Sequence, residues 1–153
     1  MAPVGGDAVL YVVTGPPAAG KSSWIRAHAT ARDIVIDLDL IATALTGPGA
    51  PQWNQDPTIL RVAHKARFAA MNEAFELRDK VDVYLIHTMP SVKALAKYKR
   101  LGAEIVTVDP GQAVVMARID AMRSPEMQRV ATRWYSQRSR LPRAAMPQTS
   151  RDW

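Results

Sequence analysis

Apolar and polar residues alternate along this chain in blocks whose lengths predict strands and helices in turn. Four short runs, rich in β-branched and aromatic residues, indicate buried strands at residues 9–14, 34–36, 81–86 and 105–108. The longer segments between and after them predict helices at residues 22–30, 40–45, 57–77, 91–101, 112–123 and 126–138. Strands that alternate with helices are typical of an α/β fold in which right-handed crossovers build a parallel sheet.

Residues with strong positional preferences mark several helix ends. Asp56 and Pro57 supply an N-cap and a proline at the first helical position, and Gly102 is a stop signal for the fourth helix. Asp39 is a candidate N-cap for the second helix. The segment 46–55 is rich in glycine and proline and predicts a loop.

The strongest local signal lies between the first strand and the first helix. Gly15 and Gly20 bracket four residues and are followed by Lys21 and Ser22, which is the P-loop pattern in the strand–helix setting that it requires. Glycines permit the positive φ angles that wrap backbone N–H groups around a polyphosphate, and the positive end of the helix dipole faces the same phosphates. We therefore expect a nucleoside triphosphate to be bound by Gly15, Pro16, Pro17, Ala18, Ala19, Gly20, Lys21, Ser22 and Ser23.

Two side chains of this motif have separate expected roles. Lys21 is expected to reach the β- and γ-phosphates, and the Ser22 hydroxyl to ligate Mg²⁺. The alternative is a plain glycine- and proline-containing turn before an amphipathic helix, with Lys21 solvated.

Polar residues follow the second and third strands, where the sheet of an α/β protein binds its ligands. Asp39 is expected to orient a substrate hydroxyl and accept its proton, the alternative being a helix cap alone. Asp37 is a candidate ligand for Mg²⁺ or a Mg²⁺-bound water and a candidate substrate contact, or else forms a structural hydrogen bond. His87 and Thr88 are candidate contacts for the acceptor substrate, although a lone histidine is often structural.

Two arginines precede the break between the last two predicted helices. Arg118 and Arg123 precede the Ser-Pro pair at 124–125, in a segment suited to a mobile lid. One or both guanidinium groups are expected to stabilise charge on a transferring phosphoryl group. Surface ion pairs with Asp120 or Glu126 are the alternative.

Length and composition predict one domain in a soluble, cytoplasmic protein. We expect a nucleotide-binding domain over residues 1–140, with the lid at about 118–130, and a basic, proline-containing tail over 141–153. The absence of cysteine excludes disulfides and thiolate metal sites. The first residues lack a basic segment and the apolar run after them is short, so we expect neither a signal peptide nor a membrane partner.

The formal net charge is +6, and most of the excess lies near the C-terminus. From Arg118 onward there are eight arginines and three acidic residues. Such a surface suits the phosphates of a nucleotide or a nucleic acid, or it is simply a solvated basic helix and tail.

Together these features resemble the P-loop kinase family of bacteriophage-type polynucleotide 5′-kinases, with their zeta-toxin and small-molecule relatives. The likeness covers residues 9–134 and rests on the motif at 15–24, on Asp39 and on the arginines after the fourth strand. It implies a three-layer sandwich with four parallel strands in the order 2-3-1-4, and ATP and Mg²⁺ as phosphate donor and cofactor. It also implies Asp39 as the general base, and Arg118 or Arg123 in contact with the nucleotide.

The likeness is weaker where the acceptor would bind. Polynucleotide kinases of this family carry an arginine three residues after the catalytic aspartate, where this chain has Ala42. Their aspartate at the end of strand three is His87 here. The resemblance therefore supports the kinase reaction better than it supports a nucleic-acid 5′-end as the substrate.

Three functions follow from these observations. The first is an ATP- and Mg²⁺-dependent transfer of phosphate to a hydroxyl of nucleic acid, either a 5′-OH or a hydroxymethylated base, which the basic C-terminal quarter favours. The second is the same reaction on a nucleoside, nucleotide or antibiotic, with Trp53 and Asn54 in its pocket. The third is a nucleotide-dependent binding module or slow ATPase, in which Asp39 is only a cap.

Overall fold

The computed structural model describes residues 8–51, 55–122 and 124–143 of the chain. Its strands are β1 (Leu10–Thr14), β2 (Ile34–Ile36), β3 (Val83–Ile86) and β4 (Glu104–Thr107). Its α-helices are α1 (Lys21–His28), α2 (Leu38–Ala44), α3 (Pro57–Glu76), α4 (Val92–Arg100), α5 (Gln112–Met122) and α6 (Pro125–Gln137), and a 3-10 turn, Arg138–Arg140, follows α6.

The four strands form one parallel sheet in the order β2-β3-β1-β4, which confirms the predicted α/β fold and strand order. β1 is central: Leu10 lies opposite Val83 of β3, and Tyr11 lies opposite Glu104 of β4. Because all strands run in the same direction, the segments that follow β1, β2 and β3 come together at one edge of the sheet.

Helices cover both faces of this sheet, and each face has its own apolar core. On one face Val12 packs with Met71 and Phe75 of α3. On the other face Val13 packs with Trp24 of α1 and with residues of α5 and α6. Alternate residues of a strand point to opposite faces, so a continuous apolar run such as β1 is buried on both sides.

Side-chain caps fix the beginnings of α2, α3, α4 and α6, and one of them differs from the prediction. The Asp56 carboxylate accepts a hydrogen bond from the Thr58 N–H, as expected. The second helix, however, begins at Leu38, and its N-cap is Asp37, whose carboxylate accepts a 3.0 Å hydrogen bond from the Asp39 N–H. The predicted cap, Asp39, is therefore wrong: the helix begins two residues earlier, and Asp39 lies in its first turn.

Packing extends to the end of the described chain. Leu141 is buried against Leu95 and Trp134, so the first residue of the predicted tail belongs to the folded core. Trp53, Asn54 and Arg123 lie outside the described residues, as does the predicted tail after residue 143. Within the described ranges, no helix combines the length and apolar character needed to cross a membrane.

Two phenylalanines on α3 provide a test of this packing. Phe75 is 5% exposed within the core and Phe68 is 60% exposed. Phe75→Ala should reduce the free energy of unfolding by about 3–5 kcal/mol, because it removes a buried ring and leaves a cavity. Phe68→Ala, the matched control, should change it by less than about 0.5 kcal/mol. Urea denaturation measures both, and equal losses would contradict the packing described here.

Candidate functional site

An open cleft of about 1150 Å³ lies at the sheet edge where the strands end. Segments that are distant in sequence form its walls: the loop after β1, the start of α2, α3, the end of β3, and α5 with α6. It brings together most residues that the sequence predicts to be functional: Pro17, Ala18, Ala19, Gly20, Lys21, Ser22, Ser23, Asp37, Asp39, His87, Thr88 and Arg118. Gly15 and Pro16 are buried in the same loop, and Arg123 is outside the described residues.

The loop between β1 and α1, residues 15–20, is called the glycine loop below. Gly15 and Gly20 have φ angles of 148° and 98°, and Ala18 has a φ of 61°. A Cβ atom on Gly15 would collide with the backbone carbonyl oxygen of Val108. Glycine at position 15 therefore permits both the backbone conformation and the close approach to the chain that follows β4.

Lys21 lies at the first position of α1, and its side chain folds back over the glycine loop. Its ammonium donates hydrogen bonds to the carbonyl oxygens of Gly15 (2.8 Å) and Pro16 (2.6 Å). Burial lowers the pKa of Lys21 to about 8, and the nearby carboxylates of Asp37 and Asp39 partly oppose this shift. The ammonium is thus held at the loop as a cation that burial makes easier to deprotonate.

The N-terminus of α1 also opens towards the cleft. Its N-cap is Gly20, which has no side chain to accept hydrogen bonds from the first turn. By contrast, α2, α3, α4 and α6 each have an N-cap side chain that accepts such a bond. The first turn of α1 therefore offers uncapped N–H groups and the positive end of the helix dipole.

Asp37 connects the N-terminal turns of α1 and α2. It is 6% exposed, and its two carboxylate oxygens accept hydrogen bonds from the Ser22 hydroxyl (3.0 Å) and the Asp39 N–H (3.0 Å). A hydroxyl and a carboxylate at this distance form a pair of hard oxygen ligands, which Mg²⁺ prefers. No group of three or more His, Cys, Asp or Glu side chains suited to a metal occurs in the described ranges, so phosphate oxygens and water would have to supply the other ligands.

Asp39 projects from the first turn of α2 at the mouth of the cleft, where it is exposed. No described residue donates a hydrogen bond to its carboxylate. Partial burial of that carboxylate and the charge of Asp37 raise its pKa, while Lys21 acts in the opposite direction. A carboxylate with free acceptor sites and a raised proton affinity is suited to general-base chemistry.

His87 and Thr88 at the end of β3 have different environments. His87 Nδ1 lies 2.7 Å from the Tyr98 hydroxyl, and burial together with the charge of Arg67 lowers the pKa of His87 to about 4. His87 is therefore neutral near pH 7. The Thr88 carbonyl accepts hydrogen bonds from the Gly15 N–H (3.3 Å) and the Trp134 indole (2.8 Å), so its backbone connects the glycine loop with α6.

Arg118 reaches the glycine loop from α5. Its guanidinium donates a 3.0 Å hydrogen bond to the Ala18 carbonyl, and burial lowers its pKa. The same wall includes Ala121, Met122, Met127 and Val130, which lie within the segment predicted as a lid, and Arg133, Trp134, Gln137 and Arg140 beyond it. These residues were not individually predicted from the sequence as part of the site.

Sequence reasoning also missed Arg67 of α3, which lines the opposite side of the cleft. A signal was present, because Arg67 follows the buried Ala63 by four residues and precedes the buried Met71 by four. This spacing places Arg67 on the buried side of the helix.

Comparison of the chain with models of protein families and with the sequences of curated proteins finds no match. The chemistry of the cleft is therefore inferred from its own residues.

The close contact at Gly15 provides a test of the loop geometry. Gly15→Ala should lower the free energy of unfolding by about 2–5 kcal/mol, because it combines a positive φ with overpacking against the Val108 carbonyl. Gly49 is the matched control, since its φ is 88° and nothing lies within 4 Å of the position that a Cβ atom would take there. Gly49→Ala should cost only about 1–2 kcal/mol. Thermal denaturation distinguishes the two, and similar losses would mean that position 15 has room for a side chain.

Proposed function

We propose that this protein is a P-loop phosphotransferase that moves the γ-phosphate of ATP, or of another nucleoside triphosphate, to a hydroxyl group. One observation carries the proposal: Asp37 caps α2, which leaves the Asp39 carboxylate in the cleft without a described hydrogen-bond donor. The structural explanation for Asp39, a helix cap, is thereby removed. A role as catalytic base accounts for a carboxylate in this position.

The glycine loop would hold the triphosphate. The uncapped N–H groups of α1 and the Lys21 ammonium are donors suited to phosphate oxygens. Lys21 would exchange its two carbonyl partners, Gly15 and Pro16, for the β- and γ-phosphates. Arg118, which already contacts the loop at Ala18, would stabilise charge on the transferring group.

Ser22 and Asp37 fit a magnesium ion bound together with the nucleotide. Their hydrogen-bonded oxygens would hold the ion either directly or through water. When bound, Mg²⁺ neutralises phosphate charge and orients the β- and γ-phosphates.

The proposed transfer uses Asp39 as the proton acceptor. The acceptor oxygen forms a bond to the γ-phosphorus while the bond from that phosphorus to the β–γ bridging oxygen breaks, and the nucleoside diphosphate leaves with the bonding electron pair. Asp39 accepts the hydroxyl proton, and Lys21 stabilises the charge that develops on the phosphate oxygens.

Nucleic acid is the acceptor class that the surface favours. Four exposed arginines lie on α6 and in the 3-10 turn after it; they are Arg129, Arg133, Arg138 and Arg140, of which Arg133 and Arg140 line the cleft. Basic side chains in this number suit a phosphate backbone. A small-molecule acceptor is the second candidate, supported by the apolar part of the cleft wall, where Met122, Met127 and Val130 could contact a ring.

Asp39→Asn tests the proposed base. It should lower kcat for phosphate transfer by about 10²–10⁴-fold and leave the KM for ATP within about threefold, because an amide cannot accept the proton but preserves the side-chain shape. The free energy of unfolding should change by less than about 1 kcal/mol, since Asp39 lies in the first turn of α2 but caps no helix. Transfer from γ-³²P-ATP to 5′-OH oligonucleotides, hydroxymethyluracil-containing DNA and nucleosides provides the assay, with the exposed Glu73→Gln as control.

Lys21→Ala is the companion variant, and it should abolish turnover because it removes contacts to the transferring phosphate. Phosphate release to water alone, insensitive to Asp39→Asn, would contradict the kinase proposal and favour a slow ATPase.

The pKa of Lys21 predicts how activity depends on pH. In the free protein Lys21 loses its proton as the pH rises through about 8, so kcat/KM for ATP should fall above that value, by about tenfold per pH unit at the limit. On the acid side, kcat should fall as Asp39 becomes protonated, at a higher pH than for an ordinary aspartate. Initial rates from about pH 5 to 10 measure both limbs. A profile for kcat/KM that stays flat through the alkaline range would exclude an ammonium whose pKa is lowered.

A further inference from the structure

Arg67 is a half-buried cation whose contacts leave most of its hydrogen-bonding capacity unused. It donates one hydrogen bond, from Nη2 to the Ile86 carbonyl oxygen (3.1 Å). A guanidinium has five N–H donors in a planar fork that matches a phosphate or a carboxylate. No Asp or Glu among the described residues forms an ion pair with Arg67.

The neighbours of Arg67 do not provide a counter-charge. His87 and Tyr98, whose ionisation it affects, are a neutral imidazole and a phenol near pH 7. Charged groups that are removed from water are usually paired, because an unpaired one loses hydration without compensation. Burial accordingly lowers the pKa of Arg67. The remaining donors of Arg67 are open to the cleft and available to an anion from solution.

The net charge of the cleft also favours the binding of an anion. Among the described residues, five Lys and Arg side chains line it, against two carboxylates. Those carboxylates, Asp37 and Asp39, interact with Lys21 at the glycine loop. Neither carboxylate is among the groups that influence the pKa of Arg67, whose charge they therefore do not compensate.

Arg67 lies on the side of the glycine loop where the acceptor would bind, and not on the side of the nucleotide contact from Arg118. α2 and α3 follow β2 in sequence and pack against each other, whereas α5 and α6 follow β4 on the far side of β1. Asp39 on α2 and Arg67 on α3 thus share one side of the glycine loop, and Arg118 contacts the loop from the other. Among the described residues of α2 and α3, Arg67 is the only Lys or Arg that lines the cleft.

We propose that Arg67 binds an anionic group, a phosphate or a carboxylate, of the molecule that is phosphorylated. This inference rests on the proposed function, and it narrows the acceptor to hydroxyl compounds that carry a second, negatively charged group. Arg67 is then a residue that determines specificity, because a neutral acceptor would leave the guanidinium desolvated and unpaired. Nucleotides, nucleic acids and hydroxy acids meet this requirement, whereas neutral sugars and uncharged antibiotics do not.

A binding experiment tests the anion site without turnover. Inorganic phosphate and acetate serve as probes, and the imidazole NMR signals of His87, which neighbours Arg67, report binding. The titrations use Lys21→Ala protein loaded with Mg²⁺ and β,γ-imido-ATP, so that probe binding at the glycine loop is suppressed. We expect a saturable shift with at least one probe, at least about tenfold weaker in Arg67→Met.

Arg61→Met is the matched control for this titration. Arg61 is exposed on the same helix and does not line the cleft, so this variant removes an equal charge and should bind the probes as the parent does. Phosphate alone, acetate alone or both will identify the kind of anion. No saturable shift with either probe, or equal affinity in Arg67→Met and Arg61→Met, overturns the proposal.

A kinetic experiment then identifies the acceptor. Matched pairs are offered with γ-³²P-ATP: thymidine 3′-monophosphate and thymidine, glycerate and glycerol, and a 5′-OH oligonucleotide with phosphodiester or methylphosphonate linkages. We expect label on anionic members, with Arg67→Met raising their KM by at least about tenfold while kcat and the KM for ATP stay within about threefold. Arg67→Lys should recover part of the loss.

The two experiments separate the inference from the proposed function. Equal labelling of anionic and neutral members overturns the role of Arg67 in specificity, although the phosphotransferase proposal stands. Probe binding that depends on Arg67, without label on any acceptor, supports the anion site and contradicts the proposed reaction.

Discussion

The carboxylate of Asp37 fixes the centre of the candidate site. One oxygen accepts the hydroxyl of Ser22 in α1, and the other accepts the first-turn N–H of α2. The buried side chain of Asp37 thus connects the first turn of α1 with the first turn of α2. It does so directly after β2, a strand of only three residues. The distance between the glycine loop and Asp39 depends on this contact, because both are only a few residues away from it along the chain.

The same arrangement explains why polar groups remain available in the cleft. Four helices have their first turns capped by their own sequence, whereas α1 begins with a glycine and a lysine that bends back to the loop. Because Asp37 caps α2, the carboxylate of Asp39 is not used as a cap. Arg67 donates one described hydrogen bond, to a backbone carbonyl oxygen. Among the described residues every buried side-chain polar atom has a hydrogen-bond partner, whereas these groups keep open donors and acceptors at one edge of the sheet. A preorganised site requires this, since it must keep its donors and acceptors for a ligand.

The fold could be predicted from the sequence because its signals are local. Continuous apolar runs identify strands that are buried on both faces, and Asp56 with Pro57 determines the start of α3 within a residue. The start of the second helix was predicted wrongly because two neighbouring aspartates compete for the N-cap position. Asp37 and Asp39 are both suitable caps, and the one that is used, Asp37, also accepts a hydrogen bond from Ser22, a contact between distant parts of the sequence.

Tertiary arrangement also explains the site residues that sequence reasoning missed. The spacing of Arg67 from Ala63 and Met71 puts it towards the buried side of α3, but only the docked helix brings it to the cleft beside the end of β3. Val130 occupies an apolar position of α6, but it is 45% exposed and faces the cleft, whereas Trp134 one turn later is buried. The wall formed by α5 and α6 depends on how these helices pack on the sheet, and periodicity does not contain that information.

The carbonyl of Thr88 sets a limit on motion. It holds the indole of Trp134 as well as the backbone of Gly15, and the next residue of α6, Tyr135, donates a 2.7 Å hydrogen bond to Asp109 after β4. Arg118 fastens the earlier part of this wall to Ala18. The two ends of this wall, at Arg118 and at Trp134 with Tyr135, are therefore tied to the loops that follow β1, β3 and β4. The wall cannot swing away from the sheet as a unit without breaking those hydrogen bonds.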